Sequence, residues 1–75
     1  MLTCSLHECP ARTRVRVLTI NGGRSLQQRC SDLGLVPGAE IEVQMNYGGR
    51  MQIRSRGTSY AVGGGMAEKI VVSKD

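Results

Sequence analysis

The sequence predicts a mostly β fold, a small barrel of five short strands with one short helix capping an end. Two observations predict it. Apolar and polar residues alternate in several short runs, as in strands with one buried face, whereas a single segment repeats its apolar residues at helical spacing. The chain has 75 residues, so it buries only about 60 to 65% of its unfolded surface. Closing the strands into a barrel pairs the edges that an open sheet would leave free.

The first predicted strand follows a lead-in segment. Residues 1–9 place three apolar side chains at a helical or turn-like spacing, and Pro10 closes the segment because the residue before a proline avoids the helical region. Residues 14–20 then begin as an alternation, with Val15 and Val17 inward and arginines outward. We therefore expect a strand there.

A short helix is predicted from Leu26 to Leu33. Leu26, Cys30 and Leu33 recur at i, i+4 and i+7, which places them on one apolar face. Ser25 fits the N-cap, and Gln28 three residues later completes a capping-box pattern. This helix should cover one end of the barrel.

The helix should end where the period changes. Gly34 stands where a helix C′ residue needs positive φ, and Pro37 cannot continue a helix. Strand two follows over 39–45, and strand three returns over 51–56 after a turn at 46–49. The residues expected to face inward are Ala39, Ile41, Val43, Met45, Met51 and Ile53.

Charges on this hairpin should pair across the solvent face. In the simplest antiparallel register, Glu40 and Glu42 share that face with Arg54 and Arg56. Each such cross-strand pair contributes about 0.2 to 1 kcal/mol.

The last third of the chain predicts two more strands. Gly57 permits a tight turn, and strand four covers 58–62. Three consecutive glycines at 63–65 end it, a single helical turn is expected over 66–69, and 70–72 forms a closing strand. Five strands with one helix make an SH3-like barrel, expected as a single domain over residues 1–75.

Composition limits the class of protein. Ten Lys and Arg against six Asp and Glu give a net charge of +4, which favours an anionic partner without identifying one. Three cysteines are an odd number and too few for a disulfide framework, which indicates a reducing compartment. The sequence shows neither an apolar run of about 18 residues nor a signal-peptide pattern. We expect a cytoplasmic protein.

The sequence carries no catalytic pattern. The one histidine, His7, stands in the lead-in segment, so no Ser-His-Asp or Cys-His arrangement with an orienting third group is indicated. None of the glycine clusters precedes the Lys-Ser or Lys-Thr of a phosphate loop, so they are interpreted as turns. We expect no enzymatic activity and no cofactor.

The segment from Leu26 to Val43 resembles the helix-to-strand signature of the FeoA family, ferrous iron transport protein A. The similarity continues through residues 53–57, 60–62 and 67–72, so it covers nearly the whole chain. The resemblance implies an SH3-like domain that is a cytosolic accessory to the FeoB ferrous iron permease, a membrane protein with a cytosolic GTPase domain. It implies no catalytic residues in the accessory itself.

Docking on such a transporter requires an exposed apolar or mixed surface. We expect it at Leu35, Val36, Pro37 and Gly38, together with Arg29 of the adjoining helix. Binding would change the populations of the transporter's conformational or nucleotide states. The alternative, in which Leu35 and Val36 only plug the barrel end, stays open. Membrane association is expected only through this partner, and self-association stays open.

The cysteines also raise the hypothesis of metal binding. Cys4, His7, Cys9 and Cys30 would supply four ligands of the kind that zinc accepts. The single residue between His7 and Cys9, and the core position predicted for Cys30, argue against a tetrahedral site. We expect core cysteines with an exposed histidine, and weak transition-metal contact at Cys4, His7 and Cys9 stays open.

The alternative function is a small basic SH3-like module that binds nucleic acid or accompanies a metal-dependent repressor. Arginines would contact the phosphates. Only Tyr47 and Tyr60 could stack on bases, because the chain has no Phe or Trp, so nucleic acid is not expected. The arginines concerned are Arg12, Arg14, Arg16, Arg50, Arg54 and Arg56.

Overall fold

The structure is a computed structural model that describes residues 2–48 and 50–74. Six strands, two helices and one 3₁₀ turn follow one another along these residues. In chain order they are β1 Leu2–Ser5, the 3₁₀ turn Leu6–Glu8, β2 Thr13–Ile20, α1 Arg24–Asp32, β3 Glu40–Tyr47, β4 Arg50–Ser55, β5 Thr58–Val62, α2 Gly64–Glu68 and β6 Ile70–Lys74.

All six strands belong to one antiparallel sheet in the order β1-β6-β2-β3-β4-β5. The mostly β class is therefore confirmed, but the expected closed barrel of five strands is not what the sheet shows. Within the described residues the two end strands, β1 and β5, do not pair with each other, so the sheet stays open. The prediction of a closed barrel assumed that the edge strands of the sheet must pair with each other. Here both edge strands, β1 and β5, are short, and this limits the length of unpaired edge that solvent can reach.

The missed strand is β1. Residues 1–9 were expected as a helical or turn-like lead-in, but Leu2–Ser5 pairs with β6 from Leu2 opposite Lys74 to Ser5 opposite Val71. Only Leu6–Glu8 forms a helical turn, and Leu6 is fully buried. A four-residue strand shows too little alternation to be recognised, and its pairing depends on β6 at the other end of the chain.

The core lies on the inward face of the sheet. Val15, Val17, Ile41, Val43 and Ile53 are buried, as the alternation predicts. Strand four, expected at 58–62, has the predicted bounds, and the closing strand extends two residues further than expected. The helical turn expected over 66–69 begins earlier, at Gly64.

Met45 departs from the predicted pattern. The register of β3 against β4 shifts between Val43 and Met45, so Met45 pairs with Gln52 and is 39% exposed. A bulge of this kind inserts a residue and reverses the direction of the side chains that follow it. The expectation that Met45 faces inward was wrong for this reason.

Helix α1 begins earlier than predicted. Gly23 is the N-cap, and Ser25 lies inside the first turn, so the predicted Ser25 cap and its capping box were wrong. A Cβ at Gly22 would clash with Leu26 Cδ2, so a larger residue there would require the Leu26 side chain to move. The predicted apolar face is confirmed: Cys30 is fully buried, and Leu26 and Leu33 pack against the core.

The charged face follows the predicted register only in part. Glu42 lies opposite Arg54, as expected. Glu40 instead forms an ion pair with Arg16 of β2, with 2.8 Å between Oε1 and Nη2, and Arg56 lies beyond the end of β4. The predicted turn at 46–49 includes Gly49, which lies outside the described residues. Within those residues, no helix has the length and apolar character needed to cross a membrane.

Candidate partner-binding surface

The C-terminus of α1 sets the geometry of the segment that follows it. Gly34 has φ of +80°, the left-handed conformation predicted for this C′ position. Its N–H donates to Ser31 O at 3.0 Å, and Leu35 N–H donates to Cys30 O at 2.8 Å. These two bonds form a Schellman motif, which ends the helix and turns the chain back across it.

The same motif brings Leu35 into the core. In a Schellman motif the residue after the left-handed one commonly packs against the residue whose carbonyl it binds, and here Leu35 and Cys30 are both 0% exposed. The expectation that Leu35 is free to contact a partner was therefore wrong. Leu35 plugs the interior, which is the alternative that the sequence left open for this side chain.

The exposed part of the segment is a tight turn over residues 36–39. Ala39 N–H donates to Val36 O at 2.9 Å. Pro37 occupies the position that favours its fixed φ, and Gly38, with φ of +93°, occupies the position that requires a left-handed residue. This combination is typical of a type II turn. Pro37 and Gly38 are exposed, and Val36 is half-buried.

Strand β2 is hydrogen-bonded to this turn. Gly38 N–H donates to Val17 O at 2.7 Å, and Val17 N–H donates to Ala39 O at 2.9 Å. The turn is thus fixed at one end by the helix cap and at the other by the sheet. A projecting loop with both ends hydrogen-bonded loses little conformational entropy when it binds a partner.

The helix α1 that precedes this turn in the chain also has an exposed face. An open depression runs along the helix, and Arg29 is exposed at its edge. Within the described part of the chain, Arg29 makes no ion pair, so its guanidinium is available to an acidic group. We use the name loop–helix surface for Val36, Pro37, Gly38 and Arg29. The depression is lined by Arg24, Ser25, Leu26, Gln28, Arg29 and Asp32.

A second exposed apolar surface was not predicted. Met45 is 39% and Tyr47 72% exposed, and both border a depression with Arg50 on the β3–β4–β5 side of the sheet. The bulge in β3 places Met45 there. The alternation of apolar and polar residues in β3 does not indicate this surface, because it predicts that Met45 faces inward. Predicting the surface from sequence would require predicting the position of the bulge.

The arginines proposed for phosphate contact are interrupted by carboxylates. Glu42 lies opposite both Arg14 and Arg54, and Arg16 is paired with Glu40. The row across the outer face therefore alternates in sign, which weakens its attraction for a nucleic-acid backbone. Of the other three, Arg12 and Arg56 are held in turns with positive φ, and Arg50 lies near Tyr47.

The candidate metal ligands meet only in part. Cys4 and Cys9 lie with their Sγ atoms 3.6 Å apart, and Cys30 is buried in the core, as expected. His7 is half-buried rather than exposed, and its Nδ1 atom is buried without a hydrogen-bond partner. Across residues 2–48 and 50–74, no three Cys, His, Asp or Glu side chains lie close enough together to hold a metal ion.

The pKa values of the two buried thiols, Cys9 and Cys30, are both raised. Burial, with a smaller contribution from the adjacent Cys4 thiol, raises the pKa of Cys9 to about 12. Burial also raises the pKa of Cys30. Both thiols are therefore protonated at neutral pH, the form that packs as a small apolar side chain.

Comparisons with known proteins give a consistent family. The family model described as "FeoA domain" matches residues 4–74. A crystal structure described as "Iron Uptake Regulatory Protein (FeoA)" is 31% identical with a TM-score of 0.94, covering 99% of this chain and 100% of that one. An NMR structure of a FeoA-like protein from Clostridium acetobutylicum is 25% identical with a TM-score of 0.86, covering 99% and 88%.

More distant structures share the fold alone. A manganese-dependent transcriptional repressor is 14% identical with a TM-score of 0.87, and the match covers 97% of this chain and 42% of the repressor. A search of curated protein sequences returns no match.

Proposed function

The chain belongs to the FeoA domain family, and from this membership we propose that it is a cytoplasmic, non-enzymatic accessory protein of ferrous iron transport that binds a FeoB-type permease. The observation that carries the proposal is the family match over residues 4–74. The 31% identical iron uptake regulatory protein, whose whole length is covered, supports it.

The loop–helix surface is the proposed contact. Val36 and Pro37 present apolar area on a turn that is hydrogen-bonded to β2 and directly follows the helix cap. Arg29 of the preceding helix adds a positive charge that makes no ion pair among the described residues. An apolar centre with a charged neighbour is the usual composition of a small protein interface. Leu35 is left out of this surface because it is fully buried.

Regulation would follow from differential binding. A permease with a GTPase domain exchanges between nucleotide-dependent conformations, and a partner that binds one of them more tightly shifts the equilibrium toward it. Tenfold tighter binding to one state corresponds to about 1.4 kcal/mol. The chain needs no catalytic group for this role.

The experiment measures binding of purified chain to full-length permease in detergent. Two variants, Val36→Asp and Arg29→Glu, each change one exposed side chain of the loop–helix surface. We expect Val36→Asp to weaken binding about tenfold or more, as for the central residue of an interface, and Arg29→Glu to weaken it less and in a salt-dependent way.

Matched controls change the same chemistry elsewhere. Thr19→Asp adds a carboxylate on exposed β2, and Arg50→Glu reverses a charge on β4. Both should bind like the wild type. A loss from Arg50→Glu with no loss from Arg29→Glu would instead place the contact on the Met45 and Tyr47 side of the sheet. Binding to nucleic acid alone, lost steeply with added salt, would favour the alternative function.

A further inference from the structure

Two thiols approach each other outside the proposed interface. Cys4 Sγ and Cys9 Sγ are 3.6 Å apart, and Cys9 Sγ also lies 3.8 Å from the backbone oxygen of Ser5. The sulfur atoms of a disulfide lie about 2.05 Å apart. A modest rotation of the two side chains, with a small backbone adjustment, would therefore bring the sulfur atoms into bonding distance.

Hydrogen bonds on both sides maintain this approach. Cys4 is held in β1 opposite Val72 of β6. The segment that carries Cys9 is held by Asn46, whose Nδ2 donates to His7 O at 3.0 Å and to Cys9 O at 2.8 Å. The folded chain thus keeps the thiols adjacent, whereas the unfolded chain would have to close the loop between them.

The two thiols differ in access. Cys4 is half-buried, so reagents in solution can reach it, while Cys9 is fully buried beneath it. The third cysteine, Cys30, is fully buried in the core. Access therefore favours Cys4 as the first sulfur to react and Cys9 as the one that closes the bond.

We propose that Cys4 and Cys9 form a reversible disulfide by exchange with low-molecular-weight disulfides. In the first step the Cys4 sulfur attacks the small disulfide, forms a mixed disulfide and releases one small thiol. In the second step the Cys9 sulfur attacks Cys4 Sγ, the bond between Cys4 Sγ and the small molecule breaks, and the proton lost by Cys9 is balanced by the proton gained by the second small thiol as it leaves. Two protein thiols are oxidised and one small disulfide is reduced to two thiols.

The disulfide would join β1 to the segment before Pro10. Because β1 is an edge strand that pairs with a single strand, β6, among the described residues, the bond should make this edge open less often. The inference does not depend on the proposed function, since neither cysteine belongs to the loop–helix surface.

The test equilibrates the purified chain in glutathione buffers of increasing oxidising strength, followed by alkylation, trypsin cleavage and mass spectrometry. Cleavage after Arg12 and Arg29 puts Cys4 and Cys9 on the peptide 1–12 and Cys30 on the peptide 30–50. We expect the peptide 1–12 to lose two hydrogen atoms and the peptide 30–50 to remain fully alkylated.

The native fold should favour this reaction. The quantity to compare is the squared concentration of reduced glutathione divided by the concentration of oxidised glutathione, taken where half of the chain is oxidised. This value should be at least about tenfold higher for the native chain than for the chain in urea. Cys30→Ala should leave the result unchanged, and Cys9→Ala should stop at the mixed disulfide on Cys4. Equal ratios in native and urea-unfolded chain, a persistent mixed disulfide in the wild type, or bonding of Cys30 would each overturn the proposal.

Discussion

Leu35→Ala tests whether this side chain supports the fold rather than a partner. Leu35 is 0% exposed and lies in the core cluster with Cys30, and truncation of a buried leucine costs about 2 to 5 kcal/mol. At about 0.05 to 0.15 kcal/mol per residue, the 75 residues have a total stability of about 4 to 11 kcal/mol. The substitution should therefore remove a large fraction of the stability.

Urea unfolding of wild type and variant measures this loss. Thermal unfolding gives an independent check, because a loss of about 3 kcal/mol in the free energy of unfolding lowers the melting temperature by roughly 12 to 24 °C in a domain of this size. Val36→Ala is the matched control, because Val36 is half-buried in the same segment and should lose about 1 kcal/mol or less. A loss below about 0.5 kcal/mol for Leu35→Ala would refute the burial argument, as would weaker permease binding by fully folded Leu35→Ala.

Three further outcomes follow from local geometry. Gly34→Ala should lower the free energy of unfolding in urea by about 1 to 2 kcal/mol. The loss should exceed that of Gly38→Ala, because a Cβ at position 34 would lie 3.2 Å from the Ser55 hydroxyl, whereas nothing lies within 4 Å of a Cβ at position 38. Equal losses from the two variants would contradict this contact. Arg16→Ala should cost less than about 1 kcal/mol and less still in high salt, since its ion pair is exposed; a salt-independent loss would contradict this. Iodoacetamide should alkylate Cys4 well before Cys9, whose rate should rise with pH because its pKa is raised to about 12; equal rates at pH 8 would contradict the assignment.

Much of the fold could be predicted from local patterns. Val15, Val17 and Ile41 are buried as the alternation indicates, and Gly34 has the predicted positive φ. These features depend on residues close in sequence, where side-chain period and glycine chemistry decide the conformation. The predicted helix start was wrong because α1 begins at Arg24 with Gly23 as its N-cap and has no side-chain cap hydrogen bond, so the Ser25 pattern does not mark its start.

Features that depend on distant residues could not be predicted. Strand β1 exists because β6 supplies its partner some 70 positions away, and the bulge that exposes Met45 appears only when β3 is registered against β4. Neither leaves a local signal. An open six-stranded sheet instead of a closed barrel follows from the same limitation, since edge pairing is a property of the assembled sheet.

The candidate site shows both outcomes within five residues. The stop signal at Gly34 and Pro37 correctly predicted where helix α1 ends, and Pro37 and Gly38 are exposed. Leu35 was assigned to the wrong side because a Schellman motif directs the residue after the glycine inward. Nothing in the hydrophobicity of Leu35 and Val36 distinguishes the buried one from the half-buried one.

The most direct test of the proposed function titrates the wild-type chain onto the full-length ferrous iron permease in lipid nanodiscs across a salt series. The proposal predicts saturable binding that persists at high salt, because Val36 and Pro37 contribute apolar contact. It also predicts that Val36→Asp abolishes this binding or greatly weakens it. Absence of saturable binding, or binding equally strong for Val36→Asp, would contradict it.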